Sequence, residues 1–199
     1  MTFANQYSKS VAFVMVDYWL QQGENKVYRN RSEGTAFLAS DQGCLLSNRH
    51  VTCPWLADGR LVMAIAMLKQ RQVPFAFDYR VYLWFDGQRA FSRLPALSES
   101  GEVEDYYFTD SAFSSRGSRR VRIAGVAPFP VKTRERVHSL LQDDFAVLQI
   151  DSVPAGLEPL PLAEGLQANG IPKLTPLITL GFPLGSQTQA ETVNVSVTS

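Results

Sequence analysis

An all-β fold of short antiparallel strands is predicted by three features of the 199-residue chain. Runs rich in Val, Ile, Phe, Tyr and Trp recur along it, Gly, Pro, Asn and Asp punctuate them at hairpin spacing, and helical periodicity is weak. That combination belongs to a barrel or a sandwich.

The elements follow in order. Residues 10–20 are rich in Val, Phe, Tyr and Trp, Gly23-Glu24-Asn25 makes a turn, and residues 26–31 alternate Val27 and Asn30 with charge, which reads as strand, turn, strand. Residues 34–39 form a short apolar strand, Ser40-Asp41-Gln42-Gly43 has the chemistry of a tight turn, and Cys44 to Ser47 resume the sheet. Residues 81–85 and Ala90-Phe91 flank Asp86-Gly87, a strong hairpin signal. Further strands are expected at 121–126, 145–150, 177–182 and 192–198, and helices only at 61–69 and 134–141.

Composition bounds the function. Hydrophobic residues make up 45% and charged residues 19%, the composition of a folded globule, and 19 basic side chains balance 19 acidic ones. No overall field draws the chain onto nucleic acid or an anionic surface; only a local patch could do so. The longest apolar run, 61–68, is far below the roughly 20 residues of a spanning helix, so no direct membrane insertion is expected. The run 11–16 is interrupted by Asp17 and framed by neither a basic segment nor a cleavage site, so it does not read as an export signal. Cys44 and Cys53 are too few for a disulfide framework or a zinc site. They read as free thiols, with a local disulfide as the alternative.

Charge and proline divide the chain. Glu99, Glu102, Glu104, Asp105 and Asp110 stand with no basic residue among them, whereas 116–136 is basic but for Glu135. This reads as a solvated insertion whose halves can pair, with a docking patch for an anionic partner as the alternative. Six of the 11 prolines follow residue 150, and 151–161 has the composition of a semi-rigid linker, which puts a domain boundary there.

A nucleophilic hydrolase needs an imidazole to accept a proton and a carboxylate to orient it. Of two histidines, His50 follows the strand 44–47 directly and is expected on a short loop at a sheet edge, where a scaffold holds a working imidazole; His138 lies in a charged stretch and reads as exposed. Asp143 and Asp144 stand before the apolar strand 145–150, and an acid at such a mouth calls for a hydrogen-bond partner. A histidine N–H is one.

These segments carry a resemblance. Gly34-Thr35-Ala36-Phe37-Leu38 with Gly43-Cys44-Leu45-Leu46-Ser47-Asn48-Arg49-His50-Val51 resembles the catalytic-histidine signature of trypsin-like serine proteases, especially their bacterial high-temperature-requirement branch. Asp144-Phe145-Ala146-Val147-Leu148 is similar to that family's aspartate motif, and Leu180-Gly181-Phe182-Pro183-Leu184-Gly185 to the segment opening its second barrel. Residues 81–88 and 121–126 are similar to the strand pair lying between. The resemblance implies two antiparallel β-barrels: a first at 8–150 with long insertions at 52–75 and 95–120, a linker at 151–161, and the start of a second at 162–199, incomplete here. It also implies His50 as general base and then general acid, and Asp144, preferred over Asp143 by its spacing to Ala146, as the orienting carboxylate. A protein or peptide substrate follows, in a compartment outside the cytoplasm.

One departure matters. The family's serine sits in a Gly-x-Ser-Gly-Gly type turn, and none occurs here: Ser118 and Ser186 each follow a single glycine, and Ser196 lies in a strand pattern. The nucleophile is therefore expected beyond Ser199. The competing reading is a catalytically inactive protease-like binding module, and a third is an unrelated β-sandwich. No cofactor, metal ligand set or nucleic-acid partner is expected, since two distant histidines and two cysteines make no metal site. The sequence leaves the oligomeric state open.

Overall fold

The structure, a computed structural model, describes residues 6–87, 113–127, 144–161, 178–182 and 195–198. The expected strand at 90–91, helix at 134–141 with His138, Asp143, Ser186 and most of 95–120 lie outside these residues.

The described chain is mostly antiparallel β with few helices, as the sequence predicts. Its main sheet has seven strands: β1 Val11–Gln22, β2 Asn25–Leu38, β3 Cys44–Ser47, β4 Ala76–Phe85, β5 Phe113–Ser114, β6 Val121–Val126 and β7 Ala146–Ile150, in the spatial order β5-β4-β1-β2-β3-β7-β6. The sheet curls until its two edges meet at an isolated parallel bridge between Ser114 and Arg120.

Two expectations are corrected. The strands expected at 26–31 and 34–39 are one continuous β2, because β1 offers an unbroken ladder from Val11↔Phe37 to Tyr18↔Asn30. Ser32-Glu33-Gly34 looks like a break only when read without that partner. The strand expected at 81–85 likewise begins at Ala76, where β1 continues alongside as far as Gln21↔Ala76.

β1 explains its own composition. Ala12, Val14 and Val16 point into the barrel with Ala36, Leu45, Val81, Leu83, Leu148 and Ile150, and all are buried. Val11, Phe13 and Met15 point the other way, against Tyr82, Trp84 and Phe182. A strand buried on both faces needs apolar residues throughout, which is why its sequence shows no alternation. Further along the outer face, buried Asp17 accepts from Arg29 Nη2 at 2.9 Å and Arg31 Nε at 3.1 Å. That pairing offsets the cost of burying its charge.

The turn before β3 is as expected, closed by the Gly43 N–H to Ser40 O at 3.1 Å. Gly43 has φ +80°, and a Cβ there would stand 2.8 Å from both Ile150 Cγ1 and Ile150 O. Gly43→Ala is expected to cost about 2–3 kcal/mol from left-handed strain and this clash. A urea titration checks it: the midpoint should fall at unchanged slope.

Residues 151–161 form no strand or helix but are tied down. Leu160 N–H donates to Leu38 O at 2.8 Å, Ser10 Oγ donates to Glu158 O, and Val153 and Leu157 pack on the barrel core. Beyond them, β8 Thr179–Gly181 pairs antiparallel with β9 Ser196–Thr198. These two lie within the strands expected at 177–182 and 192–198.

Candidate active site

β3 and β7 are antiparallel neighbours, with Ser47 opposite Ala146. The residues that leave β3 and those that enter β7 therefore emerge at the same end of the sheet. The register alone brings His50 and Asp144 together across a wide gap in sequence.

The correction here concerns the carrier of His50, which is a helical turn rather than a loop. After Ser47 the chain enters the short helix α1, Arg49–Thr52, from Asn48 in an extended conformation. Thr52 Oγ donates to Asn48 O at 3.1 Å, Ser47 Oγ donates to Thr35 O at 2.7 Å, and buried Arg49 donates through Nη1 to Ala127 O at 3.3 Å. Val51 drops into the barrel core, and Gly34 makes room for it: a Cβ on Gly34 would stand 2.6 Å from Val51 Cγ2. The turn is thus fastened on both sides of His50.

Asp144 grips that turn at two points. Its Oδ1 accepts the His50 backbone N–H at 3.0 Å, and its Oδ2 lies 2.5 Å from His50 Nδ1. Asn48 Nδ2 donates to the Asp144 carbonyl at 3.1 Å and holds the carboxylate's backbone. Burial pushes the Asp144 carboxyl up. The side-chain and backbone hydrogen bonds from His50, with the charges of His50 and Arg49, outweigh that and hold it below the usual carboxylate value. An ionised carboxylate only accepts, so Nδ1 carries the hydrogen, and in the neutral form of the imidazole it is Nε2 that keeps the lone pair. The imidazole side chain is 64% exposed against 19% for Asp144. Its Nε2 has no hydrogen-bond partner among the described residues. The pair leaves the Nε2 face of the imidazole open.

Of the other candidates, Cys44 and Cys53 are both free thiols, Cys53 buried and Cys44 half-buried. Burial pushes the Cys53 thiol up, against a Thr52 hydrogen bond and the Arg49 charge, which keeps it protonated and a poor nucleophile. Ser196 lies in β9 and Ser118 in the bend before β6. Among the described residues no group of three or more His, Cys, Asp or Glu could hold a metal ion.

Sequence reasoning missed the supports: Asn48, Arg49 and Thr35. The signal for Asn48 was its place at the strand exit, where Asn caps turns. Thr35 carried none. Its Oγ accepts the Phe182 N–H at 3.0 Å while its carbonyl takes Ser47, so it ties β8 to the platform beneath His50.

No family model matches the chain, and no curated protein matches it. Among solved structures, the crystal structure of Deg5 is similar with a TM-score of 0.34 at 16% identity, over 80% of this chain and 46% of Deg5. The chain therefore spans under half the length of Deg5. A likeness of this degree is one of distant fold and carries no argument about activity.

Proposed function

We propose that the chain carries the acid–base half of a trypsin-like serine endopeptidase that hydrolyses peptide bonds in a protein or peptide substrate. The single observation behind this is the two-point grip of Asp144 on His50, with Nε2 open. In this reading His50 Nε2 takes the proton of a serine hydroxyl as the hydroxyl attacks the peptide carbonyl, then returns it to the leaving amine. Asp144 holds the tautomer and stabilises the imidazolium. In this reading the serine would be supplied by a second barrel after the 151–161 segment, to which β8 and β9 would belong.

The test extends the chain past Ser199 and follows cleavage of a denatured protein. Cleavage is expected from the extended chain, none from the 199-residue chain, and none from extended His50→Ala. Cleavage that survives His50→Ala would overturn the reading. So would a downstream sequence without a Gly-x-Ser-Gly-Gly turn, which favours the inactive binding module.

A further inference from the structure

The expected insertion at 52–75 holds a 3-10 turn, Pro54–Leu56, and the twelve-residue helix α2, Gly59–Gln70, in place of the predicted 61–69. Asp58 caps α2 by accepting from the Arg60 and Leu61 backbone N–H groups. Leu61, Ala64, Ile65 and Leu68 recur at i, i+3, i+4 and i+7 and pack against Tyr18, Leu20, Tyr28 and Trp55. That stripe accounts for the side of α2 facing the barrel.

The other side is also apolar. Val62, Met63 and Met67 are 61%, 67% and 50% exposed, and Ala66 is exposed between them. At about 100° per residue these four share the outward face, with Lys69 along one flank and Arg60 along the other. Arg71 follows directly after the helix. These three are the only charged residues from 59 to 77. Asp58 does not offset them outward, because its carboxylate is turned in to Tyr18 and Tyr28. An apolar centre between basic flanks on the outside of a globule marks an interaction surface.

We propose that this face of α2 is a peripheral docking site for an anionic membrane surface. The apolar side chains would enter the headgroup boundary, with Arg60, Lys69 and Arg71 on lipid phosphates. Charge complementarity at the patch selects an anionic partner, against the slight acidic excess of the rest of the chain, which holds 16 basic and 19 acidic side chains. Size argues against a second copy. A helix of this length, about 18 Å by 10 Å, presents on the order of 200 Å², against the roughly 800 Å² per partner of a stable interface. A bilayer needs no complementary surface and takes up such a face one side chain at a time. The binding is superficial, since no helix among the described residues is long and apolar enough to cross a membrane.

The 199-residue chain is to be sedimented with vesicles of phosphatidylcholine and phosphatidylglycerol at 7:3, and with pure phosphatidylcholine. Binding to the anionic vesicles is expected to be about tenfold or more the stronger, and to fall in high salt. Met63→Asp with Met67→Asp, both surface positions, should abolish it at an unchanged thermal midpoint. Lys69→Glu with Arg71→Glu should erase only the anionic preference. Equal binding by the Met63→Asp/Met67→Asp protein, or none by the parent, would overturn the proposal. So would a dimer in ultracentrifugation that this double variant dissolves while vesicles go unbound.

Discussion

Asp144→Asn in the C-terminally extended protein is expected to lower kcat about 10⁴-fold while KM stays within a few-fold. The geometry dictates the size of the loss. The His50 backbone N–H requires an oxygen at the Oδ1 position, so the new amide keeps its carbonyl there and turns its NH2 toward His50 Nδ1. Facing a donor, Nδ1 becomes the acceptor and the hydrogen moves to Nε2. An Nε2 that carries a hydrogen cannot take one from a serine. The fold survives because the backbone contacts of Asn48 and His50 persist. NMR separates this from unfolding: the parent should show a far-downfield Nδ1–H resonance, absent in Asp144→Asn, with the remaining amide spectrum retained. A variant with parental kcat would remove Asp144 from the mechanism.

The second large effect concerns stability. Asp58→Ala is expected to cost about 3 kcal/mol: about 1 for the helix cap and the rest for hydrogen bonds to a charged acceptor. Asp58 Oδ2 accepts from Tyr18 OH at 2.6 Å, from Tyr28 OH, and from Asn30 Nδ2 at 3.2 Å, while Oδ1 takes two α2 backbone N–H groups. Without it, Tyr18 keeps a buried hydroxyl with no carboxylate to receive it. Tyr18→Phe should cost only about 1 kcal/mol, since the remaining donors stay satisfied.

The pH dependence has a definite sign. Burial pushes the Asp58 carboxyl up, but the Tyr18, Tyr28, Asn30 and Leu61 hydrogen bonds prevail and bring it down to about 2. A depressed carboxylate contributes stability above its unfolded pKa near 4 and loses it as pH falls through the folded value. The parent should therefore shed about 1–2 kcal/mol between roughly pH 4 and pH 2, after allowance for solvent screening. Asp58→Asn should lack that acid limb. Tyr18, raised first by burial and then by the Asp58 hydrogen bond and charge, acts in the opposite sense. Its contribution is present below about pH 10 and is lost as pH rises through the raised value. Urea midpoints across pH read both limbs. A parent and Asp58→Asn that run parallel from pH 5 to pH 2 would disprove the Asp58 assignment.

Much of the site was legible because its residues sit at strand ends. His50 after 44–47 and Asp144 before 145–150 are marked by an apolar run that stops at a polar group, and that contrast survives in one dimension. The α2 insertion was legible only as helix. Its outward Val62, Met63 and Met67 look like core residues until Tyr18, Tyr28 and Trp55 are found occupying the opposite side. Thr35 was invisible, because its role comes from a carbonyl and a hydroxyl that any strand Thr possesses.

By itself, then, the sequence determined the local alphabet: which segments form strands, where the turns fall, and which histidine and aspartate stand at exits. Those follow from side-chain size, branching and glycine freedom, all properties of neighbours in the chain. Only the tertiary structure decided that β2 runs unbroken, that His50 rides on a helical turn, and that Asp144 reaches both its backbone N–H and Nδ1. Each of these depends on the register between strands far apart in sequence, where a shift of one residue would turn every side chain to the other face.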